Sequence, residues 1–250
     1  MTAPVSRPHR LLRRAGHAVE YEDHSFGIFS PFRLSKVRRR RADASRYHPP
    51  RKAYSYMITD RPPRTPILLA QFSESDRLIA LDVPHSDHLR KIAGSIQKAM
   101  LSGHRLAVQR GCADFLSEAA NFYNVSKPLV RVLAARPIRI REGGWTTELF
   151  GDYQIETQLI RVWMRTAIRK QVTSFGTFLS TLCHELCHHL DFEHFGFKDS
   201  PHTRGFYERT AILYHNSLGT PRKRLHWRAL PDGRWRIDWV RTRTEGLSHQ

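Results

Sequence analysis

The sequence predicts an α+β fold, and three observations predict it. Residues from Ser174 to about Leu190 carry apolar side chains at helical spacing. Short apolar and β-branched runs between residues 130 and 164 read as strands, two of them as a hairpin. The chain is 250 residues long, 40% hydrophobic and 10% aromatic, which is enough for a sizeable core in one domain or two small ones.

Composition excludes several classes. No apolar run approaches the roughly 20 residues of a membrane-spanning helix, so no integral membrane protein is expected. Three cysteines are too few for a disulfide scaffold. The first residues, MTAPVSRPHRLLRRAG, contain no apolar signal segment. A cytoplasmic location follows as the expectation, with Cys112, Cys183 and Cys187 as thiols.

Taken in order, residues 1–64 read as a basic, poorly ordered extension. They hold four arginines at Arg38–Arg41, Pro49-Pro50 and Pro62-Pro63, with an apolar patch at Phe26–Phe32. The domain is expected over residues 65–220, with no internal repeat. Ile67–Phe72 and Arg77–Leu81 flank Ser-Glu-Ser-Asp and read as a strand–loop–strand unit. A helix capped by Ser86 or Asp87 places Leu89, Ile92, Ile96 and Met100 on one stripe and ends at Ser102-Gly103. A second helix is expected over Ala113–Tyr123. Val130–Ala134 and Pro137–Arg141 are expected strands. Trp145–Phe150 and Tyr153–Met164 read as a hairpin broken at Gly151-Asp152, with Ile155, Leu159, Val162 and Met164 inward.

Ser174 is the expected N-cap of the strongest helix. Phe175, Phe178, Leu179, Leu182, Leu186 and Leu190 fall at i, i+3, i+4, i+7 spacing and form its buried face. Ser200-Pro201 is expected to cap and open the next helix, which stops at Ser217–Gly219. Residues 221–250 form a basic tail in which Trp227, Trp235 and Trp239 surround a turn at Pro231-Asp-Gly233, a hairpin signal.

Charge is unevenly distributed. The net charge is +18. Residues 1–52 carry 13 Lys/Arg against 4 Asp/Glu, and residues 222–243 carry 8 against 2. Residues 53–221 are near balance, at 20 against 16. Basic flanks on a balanced middle suit a polyanion such as DNA, though a solvated basic surface gives the same numbers.

The strongest helix carries His184-Glu185-Leu186-Cys187-His188, a match to H-E-x-x-H. Residues four apart share a helix face, so both imidazoles reach one metal ion. Glu185 is rotated about 100° from His184 and can reach the metal's open position as a general base. Composition alone, with 15 His and 11 Glu, would give the match in about 4 of 100 such chains. A catalytic zinc site needs a third protein ligand, and three candidates stand. His194 has the metzincin spacing, but Asp191 occupies the position of the turn-making Gly, so the helix should carry His194 away. Glu208 has a gluzincin-like spacing. His202 follows a loop long enough to fold back.

The segment Leu182–His189 followed by His202-Thr-Arg-Gly-Phe206 resembles the SprT-like zinc metallopeptidase family, which includes the Spartan and Wss-type DNA–protein crosslink proteases. The third His and the Phe four residues later match that family's pattern. Gly143-Gly-Trp145 and Gly151–Ile155 resemble its hairpin before the active-site helix. Thr203 stands where many members have Gly. The resemblance covers roughly residues 65–217. It implies a zincin-type fold, Zn²⁺ held by His184, His188 and His202, Glu185 as catalytic base, and a protein or peptide substrate bound to DNA.

Nearby residues have two readings each. Cys183 and Cys187 are packing residues or thiolate ligands. Asp191 orients a ligand His or faces solvent. Tyr207 and Arg209 stabilise an oxyanion or sit on a helix surface. The tryptophans pack or stack on bases. His189 is expected to be exposed, and substrate backbone is expected to add to a strand edge near Tyr153–Met164. The rival function is a nucleic-acid-binding module with a closed structural zinc, which needs a fourth ligand such as Cys187 or Glu208.

Overall fold

The computed structural model describes residues 17–20, 57–84, 86–140 and 146–245. The apolar patch at 26–32, the arginine run at 38–41 and Gly143–Trp145 lie outside the described residues. The architecture is mixed α+β. In chain order it comprises β1 (His17–Glu20), α1 (Pro66–Arg77), α2 (Ser86–Leu101), α3 (Arg105–Tyr123), β2 (Leu129–Ala135), β3 (Ile138–Ile140), β4 (Thr146–Gln154), β5 (Leu159–Arg165), α4 (Phe175–Glu193), α5 (Arg204–Leu218), β6 (Trp227–Ala229), β7 (Trp235–Ile237) and α6 (Trp239–Thr244).

The larger sheet runs β1-β4-β5-β2, with β3 also on β4. β4 and β5 are antiparallel, Gly151 opposite Val162, while β2 and β5 are parallel. β5 therefore has neighbours on both sides. The expected substrate edge along Tyr153–Met164 is not available there, and the outer side of β4 is where β3 and the backbone of β1 pair. No helix among the described residues is long and apolar enough to cross a membrane.

Gly151 and Asp152 do not break the hairpin. β4 runs through them and turns at a 3₁₀ segment, Ile155–Thr157. Asp152 is held inside the sheet by Arg161 across the strands, Nε to Oδ1 2.7 Å. Val162 and Met164 are buried as expected, joined by Ile160 and Trp163, while Ile155 and Leu159 are only half-buried.

The strand–loop–strand expected over 67–81 is the helix α1. Its apolar residues Ile67, Leu68 and Leu69 are exposed, so no apolar stripe announces it. Polar contacts hold it instead. The backbone approaches α5 so closely at Gly205 that a Cβ there would lie 2.0 Å from the Ser75 carbonyl oxygen. Arg209 donates to the carbonyls of Ser75 and Leu78, and Arg204 pairs with Asp76. α3 begins eight residues before the expected start, capped by His104, whose side chain accepts from Ala107 N–H.

α4 matches expectation closely. Ser174 caps it, and its side chain accepts from Thr177 N–H. Phe178, Leu179, Leu182, Leu186 and Leu190 lie in the core with residues of α2, α3, β4 and β5. α5 is capped by Thr203 rather than Ser200, because the Ser200 hydroxyl is engaged elsewhere. The tail forms the expected hairpin, β6 against β7. Residues 57–59, which the sequence places in the basic, poorly ordered extension, lie along β7: Thr59 N–H donates to the Trp235 carbonyl at 2.8 Å and Ile237 N–H to the Met57 carbonyl at 3.1 Å.

Candidate metal centre

α4 presents His184 and His188 one turn apart, and the loop before α5 brings His202 to them. The three rings form a near-equilateral triangle, with centroids 4.9, 5.0 and 5.0 Å apart. One ring nitrogen from each lies within 4.8 Å of the other two. Phe206, in the first turn of α5, is the common floor at 4.8, 4.6 and 5.2 Å from the three rings. That contact explains why a large apolar residue follows His202 by one turn.

The partners of the outer ring nitrogens fix the tautomers. Ser200 donates its hydroxyl to Asp191 Oδ2 at 2.7 Å, so its oxygen accepts from His188 Nδ1–H, also at 2.7 Å. Asp60 Oδ2 faces His202 Nδ1 at 3.2 Å and accepts its proton. Both imidazoles then turn Nε2 lone pairs inward. His202 Nε2 lies 3.0 Å from His184 Nε2. Lone pairs converging at that separation fit a cation such as zinc, which takes imidazole nitrogen at about 2.0–2.1 Å.

Glu185 is fully buried, and neither carboxylate oxygen has a hydrogen-bond partner among the described residues. Burial, reinforced by the charge of Asp152, pushes its pKa well above the usual carboxylate range. Gly151 makes this placement possible. A Cβ there would lie 2.6 Å from Glu185 Oε1 and 2.6 Å from Thr181 Cγ2. In sequence Gly151 reads as a turn residue; its role is to let β4 pass against the carboxylate.

The other candidates are elsewhere. α4 continues through Asp191 to Glu193, as the missing glycine implies, and His194 is its exposed C-cap beside Tyr123 and Phe195. Glu208 is bound to Arg222 Nη2 at 2.5 Å and faces the Trp227 indole N–H at 3.4 Å. Cys183 faces the Ser217 hydroxyl and Cys187 the Thr210 hydroxyl. Both thiols lie in the core outside the three-histidine group, and burial raises both, Cys187 to about 12.

Asp191 is buried, not solvent-facing, and acts on His188 through Ser200. Its other oxygen accepts from Arg209 Nη2 at 2.8 Å. Arg209 is therefore neither a surface residue nor free for an oxyanion. Tyr207 Oη donates to the Ile58 carbonyl at 3.3 Å, and its ring stacks on His202. His189 is buried, contrary to expectation. Its ring bridges the Tyr153 hydroxyl and the Ser126 carbonyl, at 3.0 and 2.8 Å, and burial lowers its pKa. Trp227 and Trp239 pack against the core, and Trp235 lies under the Arg204 guanidinium.

Asp60 and Ser200 escaped the sequence reading. Asp60 lies 142 residues from its partner, and Ser200 is indistinguishable from a helix cap in sequence. Comparison of the chain with protein-family models, curated proteins and solved structures finds no match.

Proposed function

We propose that the chain is a zinc-dependent endopeptidase with a zincin-type, SprT-like domain, in which His184, His188 and His202 hold the metal and Glu185 is the catalytic base. The observation that carries the reading is Glu185. A buried carboxyl group whose oxygens have no hydrogen-bond partner costs about 1–3 kcal/mol even when it holds its proton. A purely structural histidine cluster has no use for it, whereas hydrolysis needs a base beside the metal.

Zinc, when bound, supplies Lewis-acid polarisation of a carbonyl oxygen and acidifies a water. Glu185 takes a proton from the attacking water on its carboxylate and delivers it to the leaving amine nitrogen as the C–N bond breaks. The absence of a side chain at Gly151 leaves room for this carboxyl group beside β4.

The rival structural-zinc reading requires a fourth protein ligand. Among the described residues the metal-ligating group contains three, with Glu208 and Cys187 engaged by other partners. The basic flanks extend the proposal to protein substrates on DNA. Residues 222–243, with 8 Lys/Arg against 2 Asp/Glu, supply one such flank. Affinity for duplex DNA should then fall with salt by about 0.9 log units per log unit of salt for each phosphate contact. Salt-insensitive binding would detach DNA from the proposal.

The direct test is Glu185→Gln. The variant should keep its zinc and lose hydrolysis of an unstructured protein substrate, because an amide cannot accept the water's proton. Activity surviving that change would overturn the mechanism.

A further inference from the structure

His184 and His188 stand on one long buried helix, and Ser200 and Asp191 hold the His188 ring. His202 sits in the loop before α5 and has no helical bonds of its own to hold it. Its surroundings supply the missing constraint. The Asp60 carboxylate accepts from His202 N–H at 2.8 Å and faces Nδ1 at 3.2 Å. Asp60 N–H donates in return to the His202 carbonyl at 2.9 Å. Backbone and ring of one residue are thus held from a segment far away in sequence.

That segment is itself short and is held by the C-terminal hairpin. Besides its backbone bonds to β7, Thr59 Oγ1 accepts from Trp235 N–H at 2.9 Å. Ile58 bridges Arg236 in antiparallel fashion. Thr59 and Ile237 are buried. Tyr207 closes the loop, bonded to Ile58 and stacked on His202.

We propose that Asp60 is the positioning residue of the third metal ligand and that β6–β7 anchors it, so metal binding and docking of the C-terminal hairpin are linked. The inference rests on the three-histidine metal reading. Carboxylates behind ligand histidines fix ring orientation and raise basicity, and losing one typically costs about 10–100-fold in metal affinity. Linkage is reciprocal, so metal must also favour the docked hairpin.

The test uses the full chain and the metal alone. Zinc affinity is measured by chelator competition, and cobalt(II) substitution reports ligand geometry through its visible bands. Asp60→Ala should lose about 10–100-fold in zinc affinity, and the near-isosteric Asp60→Asn a smaller amount, since its amide oxygen still accepts from His202. Both should shift the cobalt bands. Glu118→Ala breaks the His88 contact between α2 and α3, outside the seam, and serves as the structural control. It should leave affinity and spectrum unchanged. Zinc should also slow amide exchange at Trp235 and Ile237. If Asp60→Ala fails to fold, Asp60→Asn still decides. Unchanged zinc affinity or an unchanged cobalt spectrum in a folded Asp60 variant overturns the inference. A native chain that binds no zinc overturns the metal reading beneath it.

Discussion

Two carboxylates stand behind two of the candidate ligands, and they are held in opposite ways. Asp191 is wholly buried on α4 itself, reaches His188 through the Ser200 hydroxyl, and is neutralised by Arg209, also buried. Asp60 is about half exposed, touches His202 directly, and comes from a segment stapled to the C-terminal hairpin. The first is part of the domain's core and cannot be disturbed without disturbing the fold. The second borrows its position and can be altered with the fold intact. One centre thus combines a rigid side and an adjustable side.

The largest expected effects fall on the ligands. His188→Ala should strip the metal. His202→Ala should weaken zinc by about a hundredfold or more, beyond the loss for an orienting residue. His194→Ala and Glu208→Ala should leave zinc in place. A larger loss from either would move the third ligand and break the comparison.

Asp191→Asn separates the two sides by stability. It leaves the Arg209 guanidinium buried without its counter-ion, which should cost about 3–5 kcal/mol in a denaturant melt of the metal-free protein. Asp60→Asn, at a half-exposed site, should cost less than about 1 kcal/mol in the same melt. Equal losses would mean that the two carboxylates are not differently held.

Gly151→Ala probes the rigid side without touching a ligand. The added methyl must displace the Glu185 carboxylate or β4. Peptidase activity should fall about a hundredfold, as misplacement by about an ångström does elsewhere, while zinc affinity holds. Undiminished activity would show that Glu185 is not confined by β4.

The smallest effect concerns acid. Burial, followed by the charges of Lys223 and Arg222, lowers the pKa of His215 on α5 from 6.5 to about 4. Between those values the unfolded chain binds the extra proton, so this contribution to stability is lost as pH falls through the window. His215→Gln should flatten the slope of stability against pH there, with or without metal. An unchanged slope would assign acid sensitivity to other groups, such as His189.

What was legible in sequence follows the same division. The spacing of His184, Glu185 and His188 and the apolar stripe of α4 are local, so the helix period exposes them. The hairpin around Gly233 is equally local. α1 was misread because its docking depends on polar contacts from Arg204 and Arg209, which leave no apolar period. Ser200 looks like a cap because capping and relaying use the same hydroxyl. Gly151 looks like a turn because a close approach and a bend both require the smallest residue. Asp60 could not be seen at all, since nothing local links it to a histidine 142 residues away.

The central claim is that three histidines hold one metal and leave one position to solvent. Zinc X-ray absorption on the purified full chain tests it most directly, together with a metal count. The account predicts about one zinc per chain, with three imidazole nitrogens and one light oxygen scatterer that is not a protein group. A sulfur scatterer, a fourth protein ligand, or a chain that retains no zinc would contradict it.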